Sequence, residues 1–284
     1  MNFLRRYIVH MTAPTPQMPV MQKIRFFMGA LILSNAGLAI VHFVPNFFPG
    51  KENPWNSSSS YWVLALIYVV MMVALKVPSL AYMRLPAVDW KTALAIAMAV
   101  LIGWQRVDVG NLAHKSGWAI FGGAVFIFSI GLGEEIVSRG FVYGIFLRFG
   151  QKFAIFFSSF LFGALHLSWY FGKYWDPWTA YWHVSNAFAF GFFLCCLMIA
   201  CRSIWPAVLL HGVWDWNLGF DYKNVGFPVA GHVAHSPFWT GITNPLWQVV
   251  PCIFFGLLLV YLRRGEFPKF LMPLLLRFKL VEAS

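Results

Sequence analysis

Apolar residues dominate the chain in long runs, and the polar residues between them fall in short clusters. The runs lie at about 24–44, 61–83, 92–105, 117–148, 152–170, 178–200, 204–219 and 245–262. Most approach the roughly 20 residues that an α-helix needs to cross a bilayer. In hydrocarbon each segment must close its own backbone hydrogen bonds, so the runs predict helices. The pattern therefore predicts an all-α integral membrane protein with about eight transmembrane helices. Run 92–105 is short for a span and is expected to extend beyond these limits. Run 117–148 is too long for one clean span and contains Glu134, Glu135 and Arg139. It is expected to break, or to lead into a helix along the membrane surface.

Composition agrees with that pattern. Of 284 residues, 60% are hydrophobic and 11% charged, whereas a soluble domain carries about 25% charged residues. Such a chain cannot cover a water-facing surface, which excludes an ordinary cytosolic enzyme, a disordered protein and a fibrous repeat. The net charge of +11 does not point to nucleic acid, because the basic residues sit at the edges of apolar runs rather than in one patch. With the N-terminus inside, fourteen of the 21 Lys and Arg lie on the cytoplasmic side. Only Lys51, Arg106, Lys115, Lys173 and Lys223 lie outside. This bias supports an even number of spans with both termini in the cytoplasm. The polar segment 1–23, with Pro14, Pro16 and Pro19, precedes the first apolar run, so no cleaved signal peptide is predicted. The tail 263–284 is too short and basic to span and is expected to lie on the inner surface as an amphipathic helix. Cys195, Cys196, Cys201 and Cys252 lie in apolar stretches and read as small hydrophobes, with no disulfide framework and no zinc site. Cys201, beside Arg202, is a weak palmitoylation candidate.

An ionisable side chain near the centre of a span costs about 2.5–3.5 kcal/mol on insertion scales, so such residues are functional candidates. Three sets stand out. In Glu134-Glu135-Ile136-Val137-Ser138-Arg139, Glu135 and Arg139 are four apart and can pair on one helix face. Glu134 is rotated by about 100° and is left to be desolvated, which suits it to general acid or base work. Phe162 and His166 share a face on the next span. His211 and Asp215 share a face further on, as a carboxylate–histidine dyad, a metal site or a plain helix-end salt link.

Helix arithmetic relates these sets. Glu134 lies 14 residues before the end of its run, and His166 lies 14 residues after the start of the next. At 1.5 Å per residue both sit about 21 Å from the turn near Gly150. Adjacent antiparallel helices would place them at one level. His211, about 10 Å into its run, matches that level less well. The arithmetic thus pairs Glu134 with His166 and leaves His211 more loosely attached.

Glu-Glu-x-x-x-Arg, Phe-x-x-x-His and His-x-x-x-Asp, in that order within an apolar chain, resemble the CPBP family of CAAX proteases and bacteriocin-processing enzymes, also called ABI. Its best-known members are the type II CAAX prenyl endopeptidases. The resemblance covers about residues 117–220 and implies a four-helix catalytic core there. Around that core the apolar runs and the charge bias leave accessory helices at 24–116, an extracytoplasmic loop at 221–244 and a last span at 245–262. The resemblance implies a glutamate-dependent intramembrane endopeptidase that works through activated water, without a covalent acyl-enzyme. Glu134 then resembles the general base and His166 its partner in holding the water. His211 and Asp215 resemble the groups that stabilise the oxyanion, and Glu135, Arg139 and Phe162 supporting residues. The third motif often ends in Asn. An ionised Asp cannot donate a hydrogen bond, so Asp215 is expected to orient a protonated His211 that does the donating.

The implied partners are the bilayer and a membrane-associated protein or peptide, with lipidation of the substrate and oligomeric state left open. The implied location is the plasma membrane of a prokaryote. No metal or cofactor is expected. A zinc-dependent membrane protease is the nearest alternative, since Glu134, His166 and His211 are ligands zinc accepts, but no His-Glu-x-x-His helix is present. His232 and His235 read as exposed loop histidines rather than metal ligands. A transporter is the alternative from another class; such proteins often carry inverted repeats, and none is found. An immunity-type or scaffolding protein without activity is a third, although every motif residue is in place. The 30 Phe and 14 Trp read as lipid-facing packing and interface belts rather than as a prenyl site. Gly140 and Gly144 permit a close helix approach, with dimerisation as one consequence.

Overall fold

The computed structural model of the chain describes residues 28–29, 31–33, 36, 54–167, 177–220 and 245–265. Every regular element among these residues is helical. We number the main helices α1 (Pro54–Ala74), α2 (Trp90–Trp104), α3 (Gly117–Glu135), α4 (Gln151–His166), α5 (Pro177–Cys201), α6 (Trp205–Trp214), α7 (Trp216–Phe220) and α8 (Val250–Arg264). Two stretches, Gly117–Phe149 and Ala180–Cys201, are long and apolar enough to cross a membrane, and Ser58–Ala74 and Trp90–Trp104 are shorter apolar helices. Run 24–44 falls outside the described residues except for helical positions 28–29, 31–33 and 36, of which Leu33 accepts a hydrogen bond from the Tyr68 hydroxyl at 2.7 Å. Segment 1–23, the whole of loop 221–244 with His232 and His235, and the tail beyond Gly265 also fall outside them.

Local chemistry sets the helix ends. Asp89 caps α2 by accepting from the Thr92 amide at 2.8 Å, and Ser116 caps α3 through the Ala119 amide at 3.2 Å. These bonds satisfy amides that a helix start leaves without partners. α1 stops before Lys76, whose φ of 49° is left-handed, and Pro78–Met83 continues as a 3-10 turn. Gly150, with φ of 98°, allows the reversal into α4.

Run 117–148 is one helical stretch, Gly117–Phe149, whose α pitch is interrupted. After Glu135 the helix widens to π pitch over Ile136–Val142, regains α pitch over Tyr143–Phe146 and ends in a 3-10 turn at Leu147–Phe149. Residues 136–146 are all buried, so this segment is a core element. Ser79 donates to the Gly140 carbonyl. A side chain at Gly140 would meet Met72, and one at Gly144 would meet Ser79 and Val77. The Gly-x-x-x-Gly spacing is therefore used inside the chain, against the end of α1.

One apolar core joins α1, the π segment, α4 and α5 through residues such as Tyr68, Met72, Phe141, Phe146 and Cys196. A second joins α2, α5, α6 and α8 through Ala95, Ala99, Phe193, Leu197, Ala207 and Leu259. Large apolar side chains such as Leu66, Val70, Leu101, Phe156, Phe160 and Leu257 stay exposed on the outer faces, as lipid contact requires. Cys201 is buried in the second core, which removes it as a palmitoylation candidate. At one end of the bundle Arg263 grips Asp89 at 2.6 and 3.0 Å and Thr92 at 2.6 Å, and also donates to the Ala200 carbonyl. Arg84 and Lys91 reach the Arg202 and Arg263 carbonyls at the same end. These four cations are among those the charge bias assigns to the cytoplasm.

Candidate active site

Glu134 and Glu135 are the last two residues of α3, where the helix changes pitch. Neighbouring helix positions point about 100° apart, and the two carboxylates have different surroundings. Glu135 and Arg139 have no exposed side chain and are joined at 2.9 Å, which is the pair expected from their spacing. Glu134 keeps 29% of its side chain exposed and is the accessible carboxylate of the two.

His211 reaches this point because α3 and α6 touch backbone to backbone. A side chain at Gly131 would collide with the Val208 carbonyl, and one at Gly212 would come within 2.9 Å of the Ile127 carbonyl. Small residues at both positions let His211 Nδ1 approach Glu135 Oε1 to 2.7 Å. Carboxylates only accept, so Nδ1 carries the proton. Nε2 is left 3.7 Å from Glu134 Oε2 and 3.6 Å from Asp215 Oδ2. Asp215 closes α6, with its amide bonded to the His211 carbonyl. Glu135 thus does more than neutralise Arg139: one oxygen serves both Arg139 and His211.

Phe162, on α4, is the shared wall. Its ring centroid lies 4.9 Å from that of His166 and 5.6 Å from that of His211. The Arg139 guanidinium sits 4.3 Å above the ring, a cation–π contact that partly compensates its buried charge. Gly191 of α5 permits this arrangement, since a side chain there would meet Arg139 Nη2 at 2.7 Å and Phe162 at 3.0 Å. His166 Nδ1 is 2.7 Å from the Phe162 carbonyl. A carbonyl only accepts, so Nδ1 is the donor, which in a neutral ring leaves Nε2 as an acceptor.

His211, which residue counting attached only loosely, stands 3.7 Å from Glu134. No direct hydrogen bond or ion pair among the described residues joins Glu134 to His166, whose ring shares the Phe162 wall with that of His211. The π segment lies between Glu134 and the turn, and the Gly131–Gly212 contact fixes α6 by another route. His166 instead packs against His183 of α5, ring centroids 4.9 Å apart.

Several neighbours were passed over in the sequence. Tyr61 packs on Gly133. Phe190 of α5 meets the His211 ring at 5.8 Å and stacks on Trp214 at 4.3 Å. Arg106 lies 3.8 Å from the Trp214 ring on its way to the same end. Burial holds the Arg106 pKa below its ordinary value, and Asp215 opposes that shift. His183 and Asn186 carried a usable signal, being polar residues within an apolar run. Among the described residues, no group of three His, Cys, Asp or Glu has a metal-holding arrangement.

A family model described as Type II CAAX prenyl endopeptidase Rce1-like matches residues 116–217. The matched stretch takes in Glu134, Glu135, Arg139, Phe162, His166, His211 and Asp215. It is the family that the three motifs resemble. No curated protein and no solved structure matches the chain.

Proposed function

We propose that the chain is a membrane-embedded endopeptidase of the CAAX protease type, in which Glu134 activates water to cut a peptide bond of a membrane-associated protein. The match over residues 116–217 supports the general activity. One observation carries the mechanism: the accessible carboxylate of Glu134 faces a histidine whose far nitrogen is tied to a second, buried carboxylate. In this reading Glu134 takes a proton from water, and the neutral His166 accepts a hydrogen bond from that water through Nε2. The water oxygen attacks the substrate carbonyl. His211, protonated and held between Glu135 and Asp215, donates from Nε2 to the developing oxyanion. Glu134 returns the proton to the leaving amine as the C–N bond breaks. Asp215 orients the imidazolium, in keeping with its 3.6 Å distance and with the inability of a carboxylate to donate.

The test compares protein termini in membranes and secretions of cells carrying the wild type or Glu134→Gln at matched expression. New termini that arise only with the wild type support the reading and name the substrate. Identical profiles from two folded, inserted proteins overturn it. Loss of the new termini on chelation, with return on adding zinc, would favour the metal-dependent alternative.

A further inference from the structure

We propose that Asn186 binds the backbone of the substrate peptide through both ends of its carboxamide. The inference rests on the peptidase reading above and identifies a substrate-binding residue of the same site. Both polar side-chain atoms of Asn186, Nδ2 and Oδ1, are buried with no hydrogen-bond partner among the described residues. Natural proteins pair the large majority of such atoms, because an unpaired one gives up its hydration with no hydrogen bond in return. A carboxamide kept only for packing would be replaced by an apolar side chain in a helix as apolar as α5.

Its place on α5 connects the cost to the chemistry. Asn186 stands three residues after His183 and four before Phe190, so the three share one face of the helix. The His183 ring rests on His166 and the Phe190 ring on His211. Asn186 therefore lies on the strip of α5 between the two histidines, about 4.5 Å along the axis from one neighbour and about 6 Å from the other. The ligand is indicated by what Asn186 leaves open. An oxyanion would use only the Nδ2 donor, and a cation only the Oδ1 acceptor. A group that satisfies both has an N–H and a C=O side by side, as a peptide backbone does. An extended chain paired with Asn186 would run past both histidines, with its next carbonyl near His211.

The experiment uses the full chain in phospholipid nanodiscs. The probe is an internally quenched, farnesylated peptide ending in Cys-aliphatic-aliphatic-X. A parallel series replaces single backbone amides with esters, which deletes the N–H. Asn186→Ala should raise KM for the all-amide peptide about tenfold while kcat holds within about threefold. One ester position should cost the wild type about tenfold in kcat/KM and cost Asn186→Ala less than about twofold, since the partner is already gone. Asn186→Leu should show the same kinetics with an unchanged or higher thermal midpoint, because it removes an unpaired buried amide. Equal ester penalties in wild type and variant at every position overturn the inference, as does an unchanged KM. A lower midpoint or failure to fold in Asn186→Leu also overturns it, by showing a structural partner. Wild type that binds the peptide without cutting it overturns the peptidase reading alone, and the same comparisons are then read as binding by anisotropy. Wild type that neither binds nor cuts the peptide overturns both.

Discussion

His211 and His166 flank one aromatic ring, Phe162, yet they are held by different means. On the α3–α6 side, His211 is fixed by a 2.7 Å bond to a fully buried carboxylate and by glycines that let two backbones touch. On the α4–α5 side, His166 is fixed by a carbonyl of its own helix and by ring contacts with Phe162 and His183. The first corner is an ion-pair assembly whose parts come from distant points of the chain. The second is largely built within one helix turn. The proposed mechanism gives a reason for this division. In that reading the group that would face developing charge is oriented by another charge, and the group that would hold water needs only one fixed tautomer.

Breaking the first corner should have the largest effects. Glu134→Gln keeps the shape of the side chain and removes the proposed base, and kcat should fall by about 10²–10⁴-fold with little change in thermal midpoint. Glu135→Ala leaves Arg139 and His211 buried without their shared anion. Loss of a buried partner of this kind costs about 3–5 kcal/mol, so unfolding in detergent should show a large drop along with lost activity. Gly131→Ala pushes a methyl group into the Val208 carbonyl; overpacking of this sort costs about 1–3 kcal/mol and should also impair activity by moving His211. The second corner should be more forgiving. His183→Leu removes the ring contact with His166, worth about 0.5–1.5 kcal/mol, and the protein should remain folded with partial activity. A greater loss from His183→Leu than from Glu135→Ala would reverse the comparison.

The smallest effect lies outside the site and depends on pH. The hydrogen bond from Arg263 holds the Asp89 carboxyl below the usual carboxylate range, and the Thr92 amide adds to it. A depressed folded value means the contribution is complete above the unfolded value of about 4 and is lost as pH falls through the lower folded value. The wild type should lose thermal stability below about pH 4, and Asp89→Asn should show less of that loss. An equal acid loss in both would assign it to other groups.

How much was legible in the sequence followed from how local each interaction is. The Glu135–Arg139 pair could be read from spacing alone, because four residues of helix bring the two together whatever surrounds them. The helical class was legible from run lengths, and the pairing of only one of the two glutamates with Arg139 from their rotation about the helix. The Glu135–His211 bond was not legible, since it depends on a glycine contact between helices 76 residues apart at the paired side chains. The length and charges of run 117–148 marked an irregular segment, but a change of pitch, a break and a surface turn share that signature. Gly140 and Gly144 announced a close approach without saying to what, and the structure supplies the end of α1.

Arg263 has a consequence for how the molecule is made. It sits on the last described helix, and its partners are Asp89 and Thr92 on α2 and the Ala200 carbonyl on α5. A chain emerging from the ribosome exposes those partners long before it delivers the guanidinium. Until α8 arrives, Asp89 has the Thr92 amide as partner but no counter-charge from Arg263. Closure of this end of the bundle is thereby tied to one side chain that is synthesised after all of its partners.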